Sequence, residues 1–464
     1  MTSAIYSLPS VRSEKGPTAI GAFTLALLLF TGCGQQEPTA DDTQVAQVQF
    51  QPQRRTVVQP RYNSNKPTES FALPDKVESK LPIYDIRMKE EDLQMMDMNP
   101  RGEELFPATF TANGVTYENV KIRYRGQWAR TWPKKPLKIF FNEDKPFEGQ
   151  RRLNLNSSFR DPSFIRETVA YHIYRASGAP ASQSQLARVH LNGEFRGLYV
   201  QVEQPDKAFL KRNNLKGATI IKANSRMKEA DERTHPSVEI FRMHYEQETQ
   251  KEDDAIPELM RLCEGLETTP DAFEFFSKHV DLDRYVNYLA ASALCQNWDG
   301  YNKNHFLVLD KEGSKKWFVL PWDLDRAMGD HWDWSFGRAD LPIALGTEEM
   351  PGVTGWNRMM NRFLSHPRLR AQLADRIEVL LATEFTAEKL DPVIDDLHAK
   401  MKPEAELDYR RWPNPTGTEW WRNEQVGLDQ SVKTVKQFIR DRREFLLKEV
   451  KNLRAQSSAR ASLN

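Results

Sequence analysis

The chain has 464 residues, enough for two or three domains of ordinary size or for one large two-lobed protein. Lysine plus arginine and aspartate plus glutamate both number 65, so the net charge is zero and the basic surplus usual in nucleic-acid-binding proteins is missing. The three cysteines are too few for a disulfide framework. Cys263 and Cys295 are expected to be two buried thiols, with a single bridge between them left as the alternative.

The first residues have the pattern of an export signal. Arg12 and Lys15 precede an apolar run from Ala19 to Phe30, which is shorter than the ~20 residues that span a bilayer. The run ends on Gly32-Cys33, which resembles the lipobox of bacterial lipoproteins, in which the cysteine is lipidated. The pattern predicts export and a lipid anchor at Cys33, with an ordinary signal sequence or signal anchor as the alternative. The polar stretch that follows is too poor in apolar residues to fold and is interpreted as a tether.

Strands dominate the next part of the chain. A strand and a short helix are predicted from Leu81 onward, and a hairpin turns at Asn113-Gly114, since this dipeptide suits a tight turn between alternating runs. A further strand is predicted over 136–141. Basic residues crowd this region and most of them fit a solvated strand face. Lys138 lies between apolar residues and is the best candidate to face an anion.

A helix and a second hairpin follow. The helix is predicted to start at Asp161 as its N-cap, with Pro162 in the first turn, and to stop at Gly178. Glu167 lies in its first turns, where a surface glutamate is also favoured by the helix dipole. The second hairpin turns at Asn192-Gly193. The charged stretch from about residue 224 to 254 is expected to run over the surface.

The remaining chain is mainly helical, and the exception is the stretch that carries the chemistry. A helix capped by Asp281 runs into the sequence NWDGYNKN, and two apolar strands then lead to PWDLD. A hairpin would therefore bring two polar clusters together: Asp299, Asn302 and Asn304 in the first, and Asp323 and Asp325 in the second. Carboxylate and amide oxygens are ligands of hard divalent cations. The alternative is that these residues only cap turns.

The order of elements is similar to that of a two-lobed protein kinase. In such kinases a helix leads into a catalytic loop, a hairpin follows, and a metal-binding Asp comes next. The catalytic Asp and a metal-binding Asn are five residues apart there, as Asp299 and Asn304 are here. Asp323 would be the second metal ligand and Asp325 a further carboxylate. Lys138 and Glu167 come in the right order for the ion pair that holds the nucleotide phosphates.

Several stretches together resemble the spore-coat protein H (CotH) family of atypical kinases. They are RYRGQW, PLKIFF, LNLNSSFRDPSFIRETVAYHIYRASGAPA, VHLNGEFRGLYVQVEQPDKAFL, NWDGYNKNHFLV and WFVLPWDLDRAMG. The resemblance implies an α+β, two-lobed, diverged kinase-like fold, with a lobe of strands and one helix over 80–204 and a mainly helical lobe over 205–452. These lobes would follow a signal peptide at 1–33 and a tether at 34–79, and precede a polar tail at 453–464.

The same resemblance implies an exported kinase that uses ATP and Mg²⁺ or Mn²⁺ to phosphorylate Ser or Thr of an unidentified extracytoplasmic protein. Asp299 matches the catalytic Asp, and Asn304 and Asp323 match the metal ligands. A compact glycine-rich loop is missing from the sequence, and Gly126 with the two residues after it is the nearest substitute. Two rival hypotheses remain: a surface binding, adhesion or coat-assembly module on a kinase-derived fold, and transfer of AMP instead of phosphate.

Overall fold

The computed structural model describes residues 79–223, 230–331, 335–344, 357–413 and 427–461. The predicted signal peptide, Cys33 and nearly all of the predicted tether lie outside the described residues. Within those ranges, no helix is both long enough and apolar enough to cross a membrane.

The first half of the described chain is built on a closed barrel. Its elements are β1 (Ile83–Arg87), α1 (Glu90–Met98), β2 (Phe106–Ala112), β3 (Val115–Tyr124), β4 (Leu137–Phe140), β5 (Arg152–Asn156), α2 (Arg166–Ala176), β6 (Ser184–Leu191) and β7 (Glu194–Glu203). The strands are joined in the order β1-β2-β3-β4-β5-β7-β6, and a parallel pairing of β1 with β6 closes the barrel. One apolar core fills its interior, because alternate side chains of each strand point inward.

Local sequence signals place the two hairpins correctly. Asn113 and Gly114 have φ angles of 52° and 75°, and Asn192 and Gly193 have 52° and 84°. Two consecutive residues with positive φ form the turn whose twist suits a two-residue hairpin, and Asn-Gly adopts it at low cost. Both predicted hairpins are confirmed.

The helix predicted from Asp161 begins five residues later, at Arg166. Asp161 does accept hydrogen bonds from backbone N–H groups, but these belong to Ser163 (2.8 Å) and Arg166 (3.0 Å). Phe164 has a φ of 59°, which interrupts any helix through this stretch. Asp161 therefore organises a buried loop that leads into α2 instead of capping the helix directly.

The second half combines a small sheet with helices. Its elements are α3 (Lys207–Arg212), β8 (Thr219–Ala223), α4 (Val238–His244), β9 (Tyr245–Gln247), α5 (Ile256–Thr268), α6 (Ala272–His279), α7 (Leu282–Cys295), β10 (His305–Leu309), β11 (Trp317–Pro321), α8 (Arg358–Ser365), α9 (Pro367–Thr383), α10 (Ala387–Arg411) and α11 (Leu428–Ala461). The sheet has the order β11-β10-β8-β9. A second apolar core joins these elements to α2 and to outward-facing residues of β6 and β7.

The α+β fold class, strand-rich first and mainly helical afterwards, is confirmed. Cys263 and Cys295 are two separate buried thiols, as expected. The expectation of a surface excursion over 224–254 is wrong for its described part, because Asp231 and Glu232 are buried and β9 joins the sheet. The domain boundary between residues 204 and 205 stays a prediction.

A buried ion pair fastens α10 to the barrel. The ammonium group of Lys134 donates to Asp408 on α10 and to the carbonyl of Leu198, and both charged side chains are fully buried. Gly197 lies directly beneath this pair with a φ of +146°, and a Cβ there would stand 2.5 Å from Asp408 Oδ2 and 2.7 Å from Lys134 Cε. Only glycine leaves room for the pair. This gives a physical reason for Gly197 in the stretch VHLNGEFRGLYVQVEQPDKAFL, which carries part of the family resemblance.

Gly197→Ala is therefore expected to destabilise the protein by about 3 kcal/mol or more, since it combines an unfavourable φ with displacement of a buried ion pair. The matched control is Gly193→Ala, which has a φ of +84° but nothing within 4 Å of the added Cβ. Thermal and denaturant unfolding measure both. Equal losses in the two variants would show that backbone strain alone accounts for the effect.

Candidate active site

The loop after α7 carries the first polar cluster. The helix ends with Gln296 in the left-handed region, at a φ of 52°. A one-turn 3₁₀ helix then spans Trp298–Gly300, and the loop reaches β10 through Asn304, which has a φ of 57°. A non-glycine residue in this region costs energy, so the surrounding contacts must hold it there. Asn304 is 6% exposed, so it is buried within the loop.

Two neighbours hold the side chain of Asp299. Asn304 Nδ2 donates to Asp299 Oδ2 at 2.8 Å, and Lys303 Nζ lies 2.9 Å from Asp299 Oδ1. The Asp299 side chain remains 15% exposed. The carboxylate is thus fixed in direction and still reachable from solvent. No role was predicted for Lys303 from the sequence. Its position four residues after Asp299 is the pattern that could have indicated this ion pair.

The β10–β11 hairpin brings the second cluster next to the first. His305 pairs with Pro321, and the backbone N–H of Trp322 donates to the carbonyl of Asn304 at 3.1 Å. Asp323 follows immediately, with a φ of 57°, and begins a one-turn 3₁₀ helix at Leu324–Arg326. The predicted juxtaposition of the two polar clusters is therefore what the structure shows.

Three carboxylates converge where α2 packs against this 3₁₀ turn. Glu167 is 2% exposed and burial raises its pKa to about 8, with Asp323 adding to the rise and a hydrogen bond from Asn156 opposing it. Removal from water raises the pKa of Asp325 well above its ordinary range, and the negative charges of Asp323 and Glu167 raise it further. Like charges that share a buried region disfavour ionisation. A cation placed among them would relieve this repulsion.

The donor set fits Mg²⁺ or Mn²⁺. All candidate donors are oxygens, which suits a hard cation, and the repulsion between the carboxylates persists although Arg326 and Arg160 lie near Asp325. Within the described ranges, no three His, Cys, Asp or Glu residues are grouped closely enough to hold an ion by themselves. Asn304, Asp323 and Asp325 would therefore hold the ion together with water and substrate oxygens, as is usual for Mg²⁺.

Lys138 and Glu167 are not paired with each other. Lys138 Nζ donates to Gln204 Oε1 at 2.9 Å, whereas both Glu167 oxygens accept from Asn156 Nδ2, at 2.7 and 2.9 Å. The ion pair expected from the kinase resemblance is absent for these two residues. An amide has taken the place of the lysine beside Glu167. The roles of both residues in binding a nucleotide stay predictions.

A buried network that the sequence analysis missed supports the Asp299 loop from behind. His305 Nδ1 lies 3.0 Å from the carbonyl oxygens of both Gly300 and Lys303, and Nε2 lies 2.8 Å from Glu232 Oε1. Two carbonyl acceptors require a proton on Nδ1. Glu232 also accepts from Asn357, which donates to the carbonyl of Tyr301 at 2.9 Å. These contacts come from distant parts of the chain, so no local pattern announces them.

A second buried network lies on the other side of Asp325. Asp330 is 2% exposed and pairs with Arg326 at 2.7 Å and with Arg160 at 3.6 Å. Burial lowers the pKa of Arg160 to about 10, while Asp330, Asp325 and Asp299 act in the opposite direction. Arg160 comes from the loop that Asp161 organises. That loop therefore delivers a positive charge close to both polar clusters.

The fold and the site define an α+β protein whose hairpin brings carboxylates and amides together. Residues 122–446 match the model of the CotH kinase protein family, which is most of the chain. The chain therefore belongs to the CotH kinase protein family, and its fold has the α+β class that the resemblance implied.

Named relatives show the range of proteins to which this chain is similar. It is 26% identical over 381 residues to the inner spore coat protein H of Bacillus subtilis, covering 80% of this chain and 98% of that protein. It is 23% identical over 260 residues to the invasin CotH3 of Rhizopus delemar, covering 53% of this chain and 43% of the invasin. Among solved structures, the Helicobacter pylori proinflammatory kinase CtkA matches 70% of this chain and 95% of its own, with a TM-score of 0.30 and 10% identity.

We expect His305→Ala to destabilise the protein by about 3–5 kcal/mol, because it leaves Glu232 buried without its partner and removes the support of the Asp299 loop. His398→Ala is the matched control, since His398 Nε2 also lies 2.8 Å from a carboxylate, that of Asp429, but at the surface. Its expected loss is below about 1 kcal/mol. Denaturant unfolding of both variants and the wild type, measured in parallel, gives the two losses in free energy of unfolding. Comparable losses would contradict a supporting role of the buried network.

Proposed function

We propose that this protein is an ATP-dependent kinase that transfers the γ-phosphate to Ser or Thr of a protein. The observation that carries the proposal is the hairpin that places Asp299, Asn304 and Asp323 side by side. Membership of the CotH kinase protein family supports it. Phosphoryl transfer needs positioned groups and charge neutralisation more than covalent chemistry; the hairpin would supply the positioned groups, and a bound divalent cation would supply the neutralisation.

Each residue has a physical role in that reaction. Asp299 would accept a hydrogen bond from the acceptor hydroxyl and orient it, because its carboxylate is held in one direction by Asn304 and Lys303. Asn304, Asp323 and Asp325 would hold the divalent cation, which neutralises phosphate charge when bound. Lys303 would face the transferred group as a second positive charge. His305 fixes the backbone of the loop and is a positioning residue.

The proposed location rests on the sequence alone. Export and lipidation at Cys33 are part of the proposal, with the stretch at 34–79 as the tether between the membrane and the folded body. The substrate would then be an extracytoplasmic protein, and nucleic acid is not expected as a partner because the charges balance. Globomycin-sensitive processing and labelling by a palmitate analogue, each lost in Cys33→Ala, would test the anchor.

A binding module is the second candidate, and the names of the fungal relatives favour it. CotH3 and CotH2 of Rhizopus delemar are named invasins, and their names do not mention catalysis. A module of this kind needs neither nucleotide nor metal. Nucleotide at 100 times its dissociation constant should stabilise a kinase by about 2.7 kcal/mol. A thermal shift with ATP and Mg²⁺ therefore favours the kinase, and its absence favours the module.

Radiolabel transfer from ATP with Mg²⁺ or Mn²⁺, to a generic acceptor protein or to the enzyme itself, is expected for the wild type. Asp299→Ala and Asp323→Ala should lower the rate by at least about 100-fold, because each removes a positioned group. Asp283→Ala, an exposed Asp in the first turn of α7, is the control and should retain the rate. Undiminished transfer by Asp299→Ala would refute the assignment. Mass spectrometry of the product separates phosphoryl from adenylyl transfer.

Mn²⁺ binding can be measured without any turnover, by the electron paramagnetic resonance signal of the unbound ion. Asp323→Asn is expected to weaken binding by more than about tenfold, since even groups that only orient metal ligands have effects of that size. Asp283→Asn should bind as the wild type does. If Asp323→Asn binds Mn²⁺ with unchanged affinity, the ion is held elsewhere.

A further inference from the structure

Tyr409, in the last turn of α10, contacts the loop that leads into α2. Its hydroxyl group donates a hydrogen bond to the carbonyl of Pro162. Its ring also packs edge-to-face against the ring of Phe164, with the ring centres 5.7 Å apart and the ring planes at 78°. Tyr409 therefore contacts both residues that flank Ser163, one through a polar contact and the other through an apolar contact.

The loop has an unfavourable backbone conformation where Tyr409 contacts it. Phe164 is fully buried and has a φ of 59°, which a residue with a side chain adopts only where its surroundings impose it. Its N–H group donates to the carbonyl of Asp161 at 3.2 Å, which closes a tight turn with Pro162 in the second position. The ammonium group of Lys134 lies over the other contact surface of the loop, 5.4 Å from the centre of the Phe164 ring. Contacts from outside the loop thus help to impose the strained turn.

The barrel in turn fixes the position of Tyr409. The preceding residue, Asp408, forms the fully buried ion pair with Lys134. Three residues after Tyr409, the indole Nε1 of Trp412 donates to the carbonyl of Arg196 on β7 at 2.7 Å. The last turn of α10 is therefore fastened to the barrel on both sides of Tyr409, so this side chain cannot simply follow a movement of the loop.

Two charged groups of the candidate active site lie at the two ends of this turn. Arg160 directly precedes the turn at 161–164 and pairs with Asp330 at 3.6 Å. Glu167 follows the turn and belongs to α2, which packs against the 3₁₀ turn that contains Asp325. A shift of the backbone at 161–164 would therefore move a cation and a carboxylate of the site together.

We propose that Tyr409 is a positioning residue for phosphoryl transfer, which acts through the strained turn to hold Arg160 and Glu167 in place. This inference rests on the proposed kinase function and extends it to a residue of the helix that lies against the barrel. Tyr409 differs from Asp299 in that it acts on the geometry of the site and on no atom of a substrate. A displacement of about 1 Å caused by a change far from the reacting atoms lowers a rate by as much as about 100-fold.

Two substitutions separate the two contacts of Tyr409. Tyr409→Phe removes only the hydroxyl group, and Tyr409→Leu removes the ring contact as well. We expect kcat to fall at least about tenfold in Tyr409→Phe and further in Tyr409→Leu, because the charged groups at both ends of the turn lose their fixed positions. The KM for the acceptor should change less than about twofold, since no contact with the acceptor is removed. Radiolabel transfer from ATP and Mg²⁺ to casein at varied concentration measures both constants.

Tyr124→Phe is the matched control. It also removes one hydroxyl group from a largely buried ring, but that hydroxyl donates to Asp97 on α1, at 2.7 Å, and not to the loop. Urea unfolding is expected to show similar losses of stability in Tyr124→Phe and Tyr409→Phe, since each loses one hydrogen bond. Only Tyr409→Phe should lose kcat, and only there should backbone hydrogen exchange over residues 161–167 become faster. Equal losses of kcat in the two variants would show a general effect of destabilisation and contradict the inference.

The outcomes separate the inference from the proposed function. Phosphoryl transfer with the same kcat in the wild type and both Tyr409 variants overturns the inference and leaves the kinase standing. Failure of the folded wild type to transfer phosphate overturns both. Hydrogen exchange of the wild type covers the case in which the variants do not fold. The N–H groups of Ser163 and Arg166, which donate to Asp161, should exchange slowly, and exchange as fast as in an exposed loop contradicts a turn that is held in place.

Discussion

The antiparallel pairing of β10 with β11 is the constraint on which the site depends. It joins two consecutive strands of one hairpin and ends where the Trp322 N–H meets the Asn304 carbonyl. Asn304 and Asp323 flank that bond, and each has a φ of 57°. Left-handed backbone at two polar residues costs free energy and persists because the ladder and the buried His305 network fix both ends. The strained positions are also the proposed metal ligands, which ties the strain to function.

The buried carboxylates show why a ligand would matter to this fold. Glu167 and Asp325 lie near Asp323, and burial together with mutual repulsion raises the pKa of both. Ionising these groups is costly in the buried region, and Arg326 and Arg160 offset only part of that cost at Asp325. A divalent cation among the carboxylates, as proposed above, would offset this cost.

Sequence reasoning succeeded where the structural cause is local. The turns at Asn113-Gly114 and Asn192-Gly193 follow from the preferences of two residues, and so does the Asp281 cap of α7. The hairpin that joins the polar clusters was predictable for the same reason. Sequence reasoning failed where the structural cause is distant in sequence. Barrel closure requires β1 to pair with β6, and the buried Glu232 carboxylate is held by contacts with His305 and Asn357. No local sequence pattern predicts these long-range contacts.

The start of α2 and the separation of Lys138 from Glu167 are connected. Because Asp161 organises a buried loop, α2 begins at Arg166 and Glu167 falls in its first turn, beside Asn156 and against the turn that contains Asp325. Lys138 remains on the barrel wall with Gln204. Had the two charges met, each would have neutralised the other. Instead each charged group is held by a neutral amide, Glu167 by Asn156 and Lys138 by Gln204, so neither neutralises the other.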